Sequence, residues 1–187
     1  MRRFLSSALI AAAIVVSPAV QADSITVTFP SSSATVVGSV GFINATEIGY
    51  FWSAARGDQV TEAYAATGIF NATALSMDLN VTRNVLAAGQ SVLWDVLVNG
   101  VDVGDWIWSA ADGTGLTTIA LSFAAIAGEF NTLSLVVRNE VPGGLGSIAL
   151  GVGTLATVTG NRVPEPGTLA LLGLGLAALA ASRRRRQ

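Results

Sequence analysis

Residues 92–98 read Val-Leu-Trp-Asp-Val-Leu-Val, residues 99–100 read Asn-Gly, and residues 101–108 read Val-Asp-Val-Gly-Asp-Trp-Ile-Trp. Asn-Gly between two alternating runs is the strongest short-range signal for a β-hairpin, because a type I′ turn needs a positive φ at both central residues. The simplest register places Val98 opposite Val101 and Val96 opposite Val103, with Trp94 on the same side of the sheet. The hairpin therefore predicts that Trp94 is a core residue.

The same alternation of apolar and polar residues returns on both sides of the hairpin. Apolar side chains recur at every second position in four further segments, residues 25–29, 75–81, 117–123 and 133–137. A period of two indicates strands with one buried face, and such strands are typical of antiparallel sheets that pack on a shared core. Glycine-rich turns separate the later strands, as in a sandwich. We predict an all-β fold, an antiparallel β-sandwich of jelly-roll type, with a short helical turn near Ala124 to Glu129.

The N-terminus has the three parts of a secretory signal peptide. Residues 1–3 read Met-Arg-Arg, residues 4–16 form an apolar stretch, and small residues precede Asp23 at Val20-x-Ala22. The apolar stretch is short for a membrane span, which favours a cleaved signal over the alternative of an uncleaved anchor helix. We predict a signal peptide at residues 1–22, with cleavage between Ala22 and Asp23.

The C-terminus carries a second targeting segment. It begins with Val163, Pro164, Glu165 and Pro166, continues through an apolar run at residues 169–181, and ends with Arg183, Arg184, Arg185 and Arg186 before Gln187. A helix of residues 166–182 would be about 25 Å long, slightly short of a hydrocarbon core of roughly 30 Å, and snorkelling arginines can compensate. The arginines should stay on the cytoplasmic side. We predict a single C-terminal transmembrane helix within a tail at residues 163–187, and an external domain at residues 23–162.

This order of Val-Pro-Glu-Pro, short apolar helix and terminal arginine cluster closely resembles the PEP-CTERM sorting signal of exported proteins in Gram-negative bacteria that make exopolysaccharide. The resemblance implies that an exosortase, a membrane-embedded cysteine transpeptidase, recognises the tail and removes the helix. The inner membrane would hold the protein before processing, with the external domain in the periplasm, and the cell surface or extracellular matrix would receive it afterwards. Exopolysaccharide is a further implied partner. A plain membrane anchor is the alternative, because proline and an acid are favoured in the first turn of any helix.

Composition excludes several classes of function for the external domain. Residues 23–162 contain four arginines and eleven acidic residues, a net charge of −7, and the chain contains no lysine, histidine or cysteine. An acidic domain lacks the basic surface that nucleic acids require. Without histidine or cysteine there is no Ser-His or Cys-His catalysis, no histidine-bound zinc and no disulfide. We expect no cofactor, no metal and no catalytic residue.

Two sets of side chains remain candidates for a ligand site. Trp106 and Trp108 are two positions apart, so both rings point to one face, as in a platform that stacks on sugars. The alternative is that both rings fill the core. Asp102, Asp105 and Asp112 could offer oxygen ligands to calcium, although solvated turn acids are the favoured interpretation.

These observations lead to three functional hypotheses. The first is an exported, non-catalytic surface or extracellular-matrix protein that is targeted by its sorting tail. The second is a carbohydrate-binding module that uses Trp106 and Trp108, and exposure of the two rings distinguishes it from the first. The third is a small glycosidase, which needs two carboxylates about 5 to 9.5 Å apart in a cleft. Its candidate acids are Asp95, Asp102, Asp105, Glu129 and Glu140.

Overall fold

The alternating segments of the sequence form strands in the computed structural model, which describes residues 22–50, 55–141, 148–162 and 172–177. The strands are β1 (Ala22–Thr28), β2 (Thr35–Val37), β3 (Val40–Asn44), β4 (Glu47–Tyr50), β5 (Gln59–Ala63), β6 (Ile69–Asn84), β7 (Ser91–Val98), β8 (Val101–Ser109), β9 (Gly115–Glu129), β10 (Thr132–Val137), β11 (Ile148–Gly151) and β12 (Leu155–Arg162). A 3₁₀ turn lies at Ala110–Asp112, and residues 172–177 are helical.

The first sheet is organised around β6, which has 16 residues. Along one edge, β6 pairs with β12 through its first half and with β11 near its end, and β1 lies beyond β12. Strands β4 and β3 continue the sheet beyond β11. The other edge of β6 pairs with β9. All of these pairs are antiparallel, so β6 is the central strand on which the rest of this sheet is assembled.

The second sheet has the order β2-β5-β10-β7-β8 and is also antiparallel. Its inward residues and those of the first sheet form one buried cluster, which includes Leu75, Met77, Leu133 and Leu135. Complete burial of side chains of this size stabilises the fold by roughly 1.5 to 3 kcal/mol each. The prediction of an all-β antiparallel fold is confirmed.

The predicted hairpin joins β7 to β8. Asn99 has a φ of 51° and Gly100 a φ of 75°, the two positive values that a type I′ turn requires. Val98 pairs with Val101, as the sequence predicts, and Trp94 is fully buried. The Asn99 side chain accepts hydrogen bonds from the backbone N–H groups of Asn131 and Thr132. The turn is therefore tied to the connection between β9 and β10.

The rest of the predicted hairpin register is wrong by one residue. Val96 pairs with Gly104 instead of Val103, because a β-bulge interrupts the ladder between Val96 and Leu97. One extra residue reverses which side chains face the core in the remainder of the strand. Gly104 adopts a φ of 150°, and a Cβ on it would lie 2.9 Å from Cδ2 of Leu121. The close approach to β9 therefore favours glycine at this position.

The predicted helical turn near Ala124 to Glu129 is also wrong, because these residues belong to β9. Two register shifts in the β6–β9 ladder lie opposite this part of β9. On β6 they fall between Phe70 and Ala72 and between Ala72 and Ala74. Such bulges bend a strand and break its simple alternation. The irregular pattern of the sequence in this stretch therefore reflects a bulged strand.

Candidate functional site

The two ends of the sandwich chain lie on neighbouring strands. Ala22 pairs with Asn161 and Asp23 pairs with Gly160 in the β1–β12 ladder. Arg162 Nε lies 3.1 Å from Asp23 Oδ2. An ion pair between side chains this exposed contributes about 1 kcal/mol or less, so it fixes the geometry of the strand ends more than their stability. Ala22 and Asp23, which flank the predicted cleavage site, and Arg162, the last residue before the predicted tail, therefore lie at one end of one sheet.

The predicted sorting residues themselves lie outside the described part of the chain. This holds for Val163, Pro164, Glu165 and Pro166 and for Arg183, Arg184, Arg185 and Arg186, and most of the predicted signal peptide is outside as well. In the tail, residues 172–177 are helical and exposed. Within the described ranges, no helix has the length and apolar character needed to cross a membrane.

The structure places the two candidate tryptophans in the core. Trp106 exposes 6% of its surface and Trp108 exposes 9%. The reason is the bulge in β8, which turns both side chains to the inner face where Trp94 lies. The rings therefore offer no flat platform to a sugar, and the core alternative describes their position.

The tryptophans belong to a cluster in which four of the described aromatic rings contact one another in sequence. Trp106 stacks on Trp94 with ring centroids 4.2 Å apart, Tyr50 meets Trp94 edge to face at 5.6 Å, and Trp108 lies 5.8 Å from Trp106. Aromatic pairs of this kind add about 0.5 to 1.5 kcal/mol beyond their area burial. Burial raises the pKa of the Tyr50 hydroxyl. That hydroxyl therefore stays protonated near neutral pH and is no general base.

Three of the candidate acids form a charged cluster on the outer face of the second sheet. Asp95 on β7 lies directly opposite Asp105 on β8, and Asp102 is close by. Oxygen atoms of the three carboxylates lie within 4.8 Å of one another. Like charges in opposite positions of a sheet destabilise it. The cluster therefore needs a compensating cation.

Arg138, directly after β10, supplies that cation. Its Nε lies 2.8 Å from Asp95 Oδ1, its Nη1 lies 3.0 Å from Asp105 Oδ2, and its Nη2 lies 3.8 Å from Asp102 Oδ2. Burial raises the pKa of Asp95 and the two neighbouring carboxylates add to this effect, while the Arg138 guanidinium opposes it. The guanidinium donates a hydrogen bond to Asp105 and faces the carboxylate oxygens of Asp95 and Asp102, so the geometry describes an ion-pair network.

The remaining candidate acids have separate structural positions. Asp112 Oδ2 accepts hydrogen bonds from the backbone N–H and the hydroxyl of Ser109, both at 2.7 Å, and these bonds lower its pKa. Glu129 accepts a hydrogen bond from the backbone N–H of Gly68. Glu140 lines a shallow depression of about 240 Å³ and is the only carboxylate among its described lining residues. Asp112 and Glu129 therefore serve backbone N–H groups, and Glu140 has no second carboxylate among the described residues of its depression.

Two buried carboxylates were not predicted from the sequence. Asp58 exposes 3% of its surface and accepts hydrogen bonds from the backbone N–H groups of Ser39 and Ala55. Glu62 exposes 6% and accepts one from the backbone N–H of Ser31. The one sequence signal for Glu62 is its position, two residues after Val60, on the buried side of β5. Both acids hold loops against the sandwich.

Comparison with known proteins identifies the tail. The family model of the PEP-CTERM protein-sorting motif matches residues 162–186. The resemblance inferred from the tail residues is confirmed: the chain carries a PEP-CTERM sorting motif, which marks an exported protein targeted to the cell surface. No curated protein matches the chain.

Several solved structures are similar to part of this chain. The CBM36-1 domain of a multidomain xylanase from the hindgut metagenome of Trinervitermes trinervoides is 16% identical, with a TM-score of 0.46, over 75% of this chain and 100% of that chain. CBM35 from Paenibacillus barcinonensis is 12% identical, with a TM-score of 0.43, over 71% of this chain and 97% of that chain. A family 35 carbohydrate binding module from Clostridium thermocellum is 14% identical, with a TM-score of 0.39, over 72% and 91%. At these values the likeness supports no inference about a ligand.

Proposed function

We propose that this chain is an exosortase substrate, an exported, non-catalytic protein of the cell surface or extracellular matrix. The observation that carries the proposal is the sorting motif at residues 162–186. In this proposal, the signal peptide is removed between Ala22 and Asp23, and the tail helix holds the protein in the inner membrane until the exosortase acts. The external sandwich is of jelly-roll type, because most of its connections cross from one sheet to the other.

The positions of the strand ends support this sequence of events. A chain that starts at Asp23 keeps all but one of the β1–β12 backbone pairs, since only Ala22 is lost. At the other end, β12 stops at Arg162, immediately before the first tail residue, Val163. Removal of both targeting segments therefore leaves the two sheets complete.

The contacts of the acidic residues support a role without catalysis. Arg138 lies against all three carboxylates of the one cluster found among the described residues, and Asp112 and Glu129 each bind a backbone N–H group. A glycosidase instead needs an acid and a base held apart around a substrate cleft. The carbohydrate-binding alternative loses the feature that suggested it, because Trp106 and Trp108 are buried.

The test is a change of Pro164, Glu165 and Pro166 to alanine in a host that carries an exosortase. The wild-type protein should appear as a shorter, released or envelope-attached form with Asp23 at its N-terminus. The alanine variant should remain in the inner membrane, with the mass of a protein that still carries its tail. Cell fractionation, intact mass and N-terminal sequencing measure these outcomes.

Two controls separate sorting from plain anchoring. Deletion of the exosortase should give wild-type protein the mass and location of the alanine variant. Replacement of Arg183 to Arg186 by alanine should instead disturb membrane orientation, because those charges set topology. Identical mass and location for the wild type and the alanine variant would refute the sorting proposal and leave a plain membrane anchor.

A further inference from the structure

Strand β9 is an edge strand with an open side. It runs for 15 residues, from Gly115 to Glu129, and pairs with β6 along one side. On its other side, no described residue forms a backbone ladder or another backbone hydrogen bond with residues 115–128. An edge of this kind presents a row of N–H and C=O groups to any strand that can add to it.

The other edge strands carry features that discourage such pairing. β8 contains a bulge and two acids, Asp102 and Asp105. β2 has three residues, and β3 has five with a register shift. β1 carries the charged Asp23 near its start, beside Arg162. Short length, bulges and charges are the usual means by which proteins protect their edges.

β9 lacks this protection over its first half. Residues 115–128 contain no charged residue and no proline. Residues 115–122 pair with β6 in unbroken register, opposite residues 81–74. Neutral stretches rich in β-forming residues, without proline, have the highest tendency to pair with another strand. This half of β9 is therefore both regular and unguarded.

At this segment, the edge of the core is also incompletely buried. An inward row of the first sheet runs from Ile25 through Val158 and Leu75 to Leu121. Leu75 and Val158 are buried, whereas Leu121 is half-buried at the end of the row. On the outer side, Leu116 exposes 76% of its surface, and Ala120 and Ser122 are also exposed. A further strand on this edge would cover the part of Leu121 that its contact with Gly104 of β8 leaves exposed.

We propose that β9 is a dimerisation edge, at which a second copy of this chain adds its own β9 in antiparallel orientation. The two first sheets then form one continuous sheet about a two-fold axis that crosses residues 115–122. This axis places inward residues opposite inward residues, so Ile119 and Leu121 lie beside the inward residues of the partner strand. The domain has a net charge of −7 and repels its own copies, but the self-paired segment carries no charge. Charge therefore favours β9 over β1 and β8 for self-association, and length favours it over β2 and β3.

The test uses the absence of cysteine from the chain. Single cysteines are introduced into the full-length protein as Leu116→Cys, Thr118→Cys, Ala120→Cys and Ser122→Cys, purified in mild detergent and oxidised with copper phenanthroline. The matched control is Thr26→Cys, which is exposed on β1 at another edge of the same sheet. Every variant keeps the tail, so association through the tail raises cross-linking equally in all of them.

Disulfides form across strand pairs only where the two Cβ atoms are close. Cross-linked dimer should therefore peak at one or two positions of β9, several-fold above the Thr26→Cys control, and should fall at the others. Ala120→Lys places a charge on this edge. When it is added to the cysteine variant with the highest yield of cross-linked dimer, it should reduce that yield to the level of the control, whereas Thr26→Lys should not. Cross-linking at β9 no greater than at Thr26, an equal yield at all positions, or a yield unaffected by Ala120→Lys would overturn the proposal. The cysteine series decides the question even where the lysine variant misfolds.

Discussion

At the scale of single residues, Arg138 has the largest electrostatic role of the described side chains. Asp95, Asp102 and Asp105 lie around one guanidinium in a domain of net charge −7. Partly exposed ion pairs contribute little individually, but a network that separates like charges contributes more. The arrangement explains how β7 and β8 tolerate two aspartates in directly opposite positions.

Replacement of Arg138 by methionine should lower the free energy of unfolding of residues 23–162 by about 1 kcal/mol at pH 7. The loss should shrink as the pH falls towards 4. The pKa of Asp95 is already raised in the folded state and should rise further without the guanidinium. A carboxyl whose pKa is raised in the folded state contributes stability at low pH, and this contribution disappears as the pH increases through the folded-state pKa. The variant should therefore lose stability more steeply than the wild type as the pH rises above 3.8, the ordinary pKa of Asp95. Urea unfolding at a series of pH values measures this.

Arg83→Met is the matched control for this prediction. Arg83 pairs with Glu47 at 3.0 Å and lowers the pKa of that carboxyl. The stability that comes from a lowered pKa is present above the ordinary value, 4.5 for Glu47, and is lost as the pH falls through the folded-state pKa. Arg83→Met should therefore reduce the stability only slightly and should change its pH dependence at the acid end. Equal, pH-independent losses for both variants would contradict the role given to Arg138.

At the scale of strands, the bulge in β8 decides which aromatic rings enter the core. Val96 pairs with Gly104 and Trp94 pairs with Trp106, which leaves Val103 as the extra residue. An uninterrupted ladder would instead place Asp105 opposite Trp94, with Trp106 and Trp108 on the outer face. The choice between a core and a sugar platform therefore depends on one residue of register.

Insertion of one alanine between Gly104 and Asp105 tests this relation between register and burial. If the bulge is kept, the inserted residue lies opposite Asp95 and Asp105 moves opposite Trp94. The strand must then either direct Asp105 into the core or accommodate a second extra residue, and a buried unpaired charge costs several kcal/mol. We expect the variant to be severely destabilised, with tryptophan fluorescence shifted towards that of exposed indole. Val103→Ala keeps the register and truncates a half-buried side chain, so it should remain folded with unchanged fluorescence. An insertion variant as stable as Val103→Ala would show that the register of β8 has no such role.

The same bulge shows how much of this fold the sequence predicts. Period-two alternation and Asn99-Gly100 suffice for the strand class, the hairpin and the burial of Trp94, because these depend on neighbours along the chain. The exposure of Trp106 and Trp108 was not predictable, since it depends on the contact of Gly104 with Leu121 of another strand. The pairing of Arg138 with acids of β7 and β8 likewise requires the order of strands in the second sheet.

At the scale of the whole chain, the sorting motif could be predicted directly from the sequence because it is a linear signal. A family model matches it at residues 162–186, and such a short stretch needs no tertiary neighbours to be recognised. The small residues at Val20-x-Ala22 form a linear pattern of the same kind, and the signal peptide stays a prediction. The fold adds that Ala22 and Asn161 pair at one end of the β1–β12 ladder. The strands therefore lie, in the sequence, between the two predicted targeting segments.

We expect residues 23–162, produced without either signal, to fold as a soluble β-protein with no need for a metal or a particular redox state. The core supplies the stability, because the chain has no cysteine for a disulfide and Arg138 already provides a cation to the clustered carboxylates of β7 and β8. Far-ultraviolet circular dichroism should show a strand spectrum, and neither a chelator nor a reductant should change the unfolding midpoint.

A version that begins at Phe29 is the matched control. It lacks β1, so one edge of β12 is exposed and the half-buried Ile25 and Val27 are missing. It should lose on the order of 3 kcal/mol of stability. A helical spectrum, unfolding on addition of a chelator, or equal stability of the two versions would contradict a fold closed by pairing of its first and last strands.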